Sequence, residues 1–84
     1  MSYEAIHEKV RVVTVYDPYK GTVLPWLVKW QARIYTIEKI GYVHKVRVGR
    51  TLFHIFSVSN AAIAFRLKLD TDTLHWTLEE VSQV

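Results

Sequence analysis

The side chains best suited to metal binding are scattered along the chain. The four histidines, His7, His44, His54 and His75, show no HxH, HxxxH or HExxH spacing, so no single element would converge them on one ion. His54 lies in an alternating apolar run and is expected to point inward, whereas His75 is expected to point outward. The sequence therefore predicts no metal site.

The carboxylates do not form a catalytic pair either. Asp70 and Asp72 bracket a predicted turn, where an Asp side chain accepts hydrogen bonds from nearby backbone amides. Glu79 and Glu80 are consecutive residues of a predicted strand, so they are expected on opposite faces and cannot act together as acid and base. The chain has no cysteine and no glycine-rich phosphate loop. We expect no catalytic residue, no cofactor and no enzymatic activity.

Positive charge is concentrated in the middle of the chain. Between Lys29 and Arg50 every charged residue except Glu38 is basic, although the net charge of the chain is only +3. Such cations could contact nucleic-acid phosphates while an aromatic ring stacks on a base. The candidate nucleic-acid-binding residues are Lys39, Tyr42, Lys45, Arg47, Arg50, Phe53, Arg66 and Lys68. The alternative is a solvated face whose cations pair with the acidic C-terminal strand, for example Arg66 with Glu79.

The elements that position these residues are predicted to be β-strands. Half of the 84 residues are hydrophobic and 13% are aromatic, with many β-branched residues among them, which suits a pleated and half-buried surface. Lys9 to Tyr16 alternates with a slip near Val12 and Val13, which predicts a strand with a bulge. The segment from Asp17 to Gly21 is a predicted loop.

The segment from Trp26 to Ile40 reads as a hairpin. A two-residue turn at Gln31 and Ala32 would place Trp30 opposite Arg33 and Val28 opposite Tyr35, with the large apolar side chains on one face. The basic segment from Val43 to Val48 is a strand or a loop that ends at Gly49 and Arg50.

The segment from Leu52 to Leu78 predicts a three-stranded meander. In each of its three strands the apolar residues alternate along one face. These three apolar faces coincide only if the numbers of two residues that lie opposite each other on paired strands sum to an odd value. Turns at Asn60 and Ala61 and at Thr71 and Asp72 satisfy this condition. They place Phe56 opposite Phe65, His54 opposite Leu67, Leu69 opposite Leu74 and Leu67 opposite Trp76. On the reverse face, Phe53 would lie opposite Lys68 and Ile55 opposite Arg66, either covered by the N-terminal segment or forming an exposed patch.

Together these elements predict an all-β fold of about six antiparallel strands, forming a small barrel or a strongly bent sheet with a C-terminal meander. Residues 1–84 are expected to form one small domain. The sequence has no apolar run of membrane-spanning length and begins with charged residues rather than a secretory leader. We therefore expect a cytoplasmic protein with no membrane partner.

The pattern also resembles a known kind of domain. Trp30, Arg33 and Tyr35 form a Trp-x-x-Arg-x-Tyr hairpin, and Trp76, Leu78, Glu79 and Glu80 form a closing strand. Over residues 25–81 this resembles a group of small uncharacterised bacterial all-β domains. Ala32 stands where that group tends to have glycine. The resemblance implies a fold and supplies no activity.

The predicted function is that of a small nonenzymatic binding module that contacts nucleic acid through its basic surface. The alternative is a module for protein–protein interaction or self-assembly, including a homodimer. Trp26, Phe53 and Ile55 are the candidate interface residues for this alternative, because Trp26 is expected to be partly exposed near a strand start and the other two lie on the outer face of the meander.

Overall fold

The computed structural model describes residues 4–83, which form seven β-strands. In chain order these are β1 (Glu4–Asp17), β2 (Thr22–Trp30), β3 (Arg33–Thr36), β4 (Lys39–Val48), β5 (Thr51–Ser59), β6 (Ile63–Asp70) and β7 (Trp76–Gln83). The all-β prediction is confirmed, and the segment from Val43 to Val48 is a strand rather than a loop. None of the described residues belongs to a helix with the length and hydropathy that a membrane span requires.

All seven strands join one antiparallel sheet in the order β3-β2-β1-β7-β6-β5-β4. The two edge strands, β3 and β4, follow each other in the chain. At their junction the Ile37 N–H donates to the Trp26 carbonyl at 2.8 Å, and the Glu38 N–H donates to the Ser59 carbonyl at 3.0 Å. The sheet is therefore strongly bent, so that its edges meet at this corner, but it is not closed into a barrel.

The inner face of the bent sheet carries the core. Val28, Phe56, Leu67 and Leu78 are its fully buried side chains. The other buried members of this cluster are Ile37, Val58, Phe65, Leu69, Trp76 and Val81. Burial of this apolar surface is the main stabilising contribution available to a chain without disulfide bonds.

The β2–β3 hairpin follows the predicted register. Trp30 lies opposite Arg33 and Val28 opposite Tyr35. The turn residues Gln31 and Ala32 both have positive φ, 52° and 61°, as a type I′ turn requires. Trp30 and Tyr35 both pack against the Phe65 ring, with centroid distances of 6.2 and 5.1 Å.

The bulge predicted in β1 lies one residue further along than expected, between Val13 and Thr14. The predicted loop after Asp17 is confirmed. The Asp17 carboxylate holds this loop by accepting hydrogen bonds from the N–H groups of Tyr19 and Lys20, at 2.9 and 3.3 Å.

The meander of β5, β6 and β7 is confirmed, but both predicted turns are misplaced, and each strand pairing is therefore shifted by two residues from the predicted register. Phe56 lies opposite Leu67, not Phe65, and His54 lies opposite Leu69. Likewise Leu67 lies opposite Leu78 and Leu69 opposite Trp76, while Leu74 is 69% exposed in the loop before β7. A shift of two residues keeps paired side chains on the same face, so the predicted inner face is correct for Phe56, Leu67, Leu69, Trp76 and Leu78 but not for Leu74.

Side-chain hydrogen bonds explain both shifts. Asn60 Oδ1 accepts from the N–H groups of Ala62 and Ile63, at 2.8 and 2.9 Å, so Asn60 begins the turn instead of occupying its centre. Asp70 Oδ1 accepts in the same way from Asp72 and Thr73, at 2.8 and 3.2 Å. Each Asx-type turn thereby moves the loop further along the chain.

Candidate nucleic-acid interface

The sheet register divides the predicted basic residues between its two faces. Arg66 lies opposite Ser57, and Lys68 opposite Ile55, on the outer face, which is the face turned away from the core. Lys45 and Arg47 of β4 lie opposite His54 and Leu52 instead, on the inner side of the sheet. The predicted residues therefore do not converge on one face.

The two cations of the outer face are engaged in ion pairs. Arg66 Nη1 lies 2.7 Å from Glu80 Oε2, and Lys68 Nζ lies 2.9 Å from Glu79 Oε1. The sequence-based pairing of Arg66 with Glu79 is therefore wrong by one residue. Because carboxylates already neutralise Arg66 and Lys68, these side chains contribute little free positive charge.

The carboxylates of Glu79 and Glu80 both lie on the outer face, although these consecutive strand residues were expected on opposite faces. That prediction is wrong because β7 carries an extra residue opposite β6. Leu67 pairs with Leu78, whereas Arg66 pairs with Glu80, so Glu79 occupies a bulge. A bulge places two residues of one strand against a single residue of its neighbour and redirects their side chains.

Glu79 also binds the N-terminal half of β1. His7 Nδ1 lies 2.6 Å from Glu79 Oε2, and β1 has its own irregularity between Ala5 and Glu8, where His7 adopts a φ of 55°. Burial alone would raise the pKa of Glu79, but hydrogen bonds and charge from Lys68 and His7 outweigh it and hold the pKa below its usual value.

The cations of the β4–β5 hairpin are different. Lys45, Arg47 and Arg50, here called the hairpin cations, are all exposed. The ion pairs of residues 4–83 involve none of them. Arg47 Nη1 lies 3.5 Å from the Arg50 carbonyl oxygen, a contact that holds the guanidinium beside the turn. The free positive charge of the predicted site is therefore concentrated at this end of the hairpin.

Lys39 begins β4 at its opposite end. It lies opposite Ser59 and shares a shallow depression of the outer face with Arg66. It is exposed and takes no part in the ion pairs of the described residues. Its separation along the strand from Lys45 excludes it from the hairpin cations.

The two aromatic candidates both lie on the outer face. Tyr42 is 60% exposed, and its ring centroid lies 5.1 Å from that of His44 with 30° between the planes. Phe53 is half-buried, and Lys68 Nζ lies 4.8 Å from its ring centroid. Tyr42 is therefore the better placed of the two for stacking against a ligand.

Two histidines flank the hairpin from opposite sides. His54 lies opposite Lys45. Burial lowers the pKa of His54, and the charge of Lys45 lowers it further. His44 lies on the outer face beside Ile55, and its buried Nδ1 has no hydrogen-bond partner among residues 4–83.

The candidate interface residues are not equally accessible. Trp26 is 51% exposed. Ile55 is buried, with 9% exposure, in an outer-face depression that it lines together with His7 and Glu79. The exposed-patch alternative is therefore wrong for Ile55, which cannot serve as an exposed contact.

One group of cations was missed by the sequence reasoning. Arg11 and Lys29 lie directly opposite each other on β1 and β2, and Lys9 precedes Arg11 on the same face. All three are exposed. Lys9 and Arg11 lie in the N-terminal part of the chain, which is neutral overall, so charge counting gave no signal for these two residues. The register of β1 against β2 brings these cations together.

Within residues 4–83 no cluster of three or more His, Asp or Glu side chains could hold a metal ion. Comparison of the chain with protein-family models, curated proteins and solved structures finds no match. The resemblance to small bacterial all-β domains therefore stays a prediction, and the case for function depends on the chain's own geometry.

Proposed function

We propose that this protein is a small nonenzymatic binding module of the cytoplasm that contacts nucleic acid through the hairpin cations. One observation carries the proposal. Lys45, Arg47 and Arg50 are exposed and lie outside the ion pairs of the described residues, whereas Arg66 and Lys68 are neutralised by glutamates. Cations that are not already neutralised by a carboxylate are the ones that can replace the counterions of a phosphate backbone.

Fluorescence anisotropy with a labelled oligonucleotide at several salt concentrations tests the proposal. Each phosphate contact to a single strand contributes roughly −0.7 to the slope of log K against log salt. Replacing Lys45, Arg47 and Arg50 together by alanine should therefore reduce the magnitude of the slope by about 2. The fold should persist, because all three side chains are exposed.

The missed group of cations provides a matched control. Replacing Lys9, Arg11 and Lys29 together by alanine removes the same formal charge from another part of the sheet. This variant should retain most of the binding. Equal loss in the two triple variants would show that only net charge matters, and absence of binding at low salt would also overturn the proposal.

Self-assembly is the second candidate, and the free edge of β4 favours it. Val43, Val46 and Val48 of this strand are 42, 37 and 63% exposed, and an unpaired strand edge can pair with a second copy. A two-fold axis at Lys45 would place two ammonium groups opposite each other. An axis at His44 would place Lys45 opposite Val43, which is a register that charge permits.

Sedimentation at about 100 μM, where weak interfaces become populated, tests this candidate. A dimer in the His44 register should be disrupted by Val43→Lys, which places two ammonium groups opposite each other at an exposed position. Val13→Lys, at a 50% exposed position of β1, is the matched control. A wild-type protein that stays monomeric would exclude self-assembly through this edge.

A further inference from the structure

The edge of β4 offers backbone groups as well as side chains. Val48 and Thr51 flank the two-residue turn of Gly49 and Arg50, and Gly49 has a φ of 60° at the first turn position, as in a type II′ hairpin. The flanking pair of such a turn is hydrogen-bonded, and bonded and non-bonded pairs alternate along an antiparallel ladder. The N–H and C=O groups of Val43, Lys45 and Arg47 therefore point away from β5.

Side chains on the two sides of this edge differ in chemistry. Lys45 and Arg47 project to the inner side, with about 6.6 Å between successive residues of one face. That distance is similar to the spacing of successive phosphates in an extended single strand. Tyr42 and His44 project to the outer side, opposite Ser57 and Ile55. Cations, outward backbone groups and an aromatic pair thus lie side by side along one strand.

We propose that the free edge of β4 binds single-stranded nucleic acid, with phosphates on Lys45 and Arg47 and an unstacked base on Tyr42. This inference rests on the proposed function and specifies its ligand. A linear strand can lie along the edge and place its phosphates on one side and its bases on the other. A duplex cannot do so, because its bases are stacked inside and its phosphates cover its surface.

The accessibility of the Tyr42 ring supports this orientation. The ring is 60% exposed and is supported from one side by His44, at a centroid distance of 5.1 Å. A planar base can stack on such a ring whatever its identity, because every base has a π-face. The site should therefore show little sequence preference.

Anisotropy with an oligothymidylate of about 12 nucleotides, within the range of single-strand site sizes, and with a duplex of equal length tests the inference. The wild-type protein should bind the single strand at least tenfold more tightly than the duplex at the same salt concentration. Tyr42→Ala should weaken single-strand binding about tenfold without changing its salt slope. Tyr42→Phe should retain binding. Tyr19→Ala, at a 98% exposed tyrosine, is the control and should have no effect.

The outcomes separate this inference from the proposed function. Equal affinity for duplex and single strand, or unchanged binding by Tyr42→Ala, would overturn the single-strand assignment while leaving nucleic-acid binding in place. Failure to bind any oligonucleotide would overturn both. An extended acidic peptide that binds with the same dependence on Lys45 and Arg47, in a protein that ignores oligonucleotides, would assign the edge to a protein partner instead.

Discussion

His7 Nδ1 lies 2.6 Å from Glu79 Oε2, although 72 positions separate the two residues in the chain. The contact joins the N-terminal half of β1 to the last strand across two adjacent irregularities of the ladder. Lys68 completes the group at 2.9 Å from the other oxygen of the same carboxylate. Glu79 therefore connects three strands of the outer face, β1, β6 and β7.

The ionisation of Glu79 should make the fold sensitive to acid. Its pKa is lowered in the folded state, so the unfolded state binds more protons below about pH 4.3, the ordinary value for Glu. The stability that Glu79 contributes is present above this pH and is lost as the pH falls through the lowered pKa. Urea midpoints measured from pH 6 to about pH 3 should fall less steeply for Glu79→Gln than for the wild type.

Glu38→Gln is the control for this titration. Glu38 is exposed and takes no part in the ion pairs of residues 4–83. Its removal should leave the acid dependence of the wild type intact. If both variants show the same acid dependence as the wild type, the ion pairs of Glu79 do not stabilise the fold.

Trp76→Ala should destabilise the protein severely. Trp76 is 7% exposed, and its ring centroid lies 5.3 Å from that of Phe56. Truncation of a buried tryptophan costs about 3 to 5 kcal/mol, which is comparable to the whole stability of a chain this small. Trp26→Ala, at a 51% exposed position, should change the free energy of unfolding by less than about 1 kcal/mol. Equal losses measured by thermal or urea unfolding would contradict this view of the core.

Ala32→Gly should stabilise the β2–β3 hairpin. Ala32 adopts a φ of 61°, a left-handed conformation that strains any residue with a Cβ and that glycine adopts freely. We expect a gain of about 1 kcal/mol in the free energy of unfolding. Ala62→Gly is the matched control, because Ala62 lacks a positive φ. It should be neutral or destabilising, and a gain of the same size there would show that the φ of Ala32 is not the cause.

His54 can report on occupancy of the hairpin cations. Burial and then the charge of Lys45 lower its pKa, so Lys45→Ala should move the pKa part of the way towards its ordinary value of about 6.5. A phosphate bound to Lys45 should raise the pKa in the same direction, because it neutralises that charge. An NMR titration of the four histidines, with and without oligonucleotide, measures both effects. An unchanged His54 titration in the complex would place the phosphates elsewhere.

Local patterns were enough to predict much of the fold. Alternation of apolar and polar residues indicated the strands, because the side-chain period of a strand is two residues regardless of its neighbours. Parity then assigned Phe56, Leu67 and Leu78 to one face, and the assumed two-residue turn at Gln31 and Ala32 gave the pairing of Val28 with Tyr35 that the structure has. The register errors in the meander kept the paired residues up to Leu78 on their predicted faces, since each error was a shift of two residues.

The arrangement of charge, by contrast, was decided by the tertiary structure. The placement of Glu79 and Glu80 on one face depends on a bulge, which local alternation does not reveal. The grouping of Lys9, Arg11 and Lys29 depends on the register of β1 against β2. Sequence alone therefore determined the strands and their inner faces. Only the folded sheet decided that Glu79 and Glu80 neutralise Lys68 and Arg66 while the hairpin cations lie outside the ion pairs of residues 4–83, because ion pairing requires contacts between residues distant in the chain.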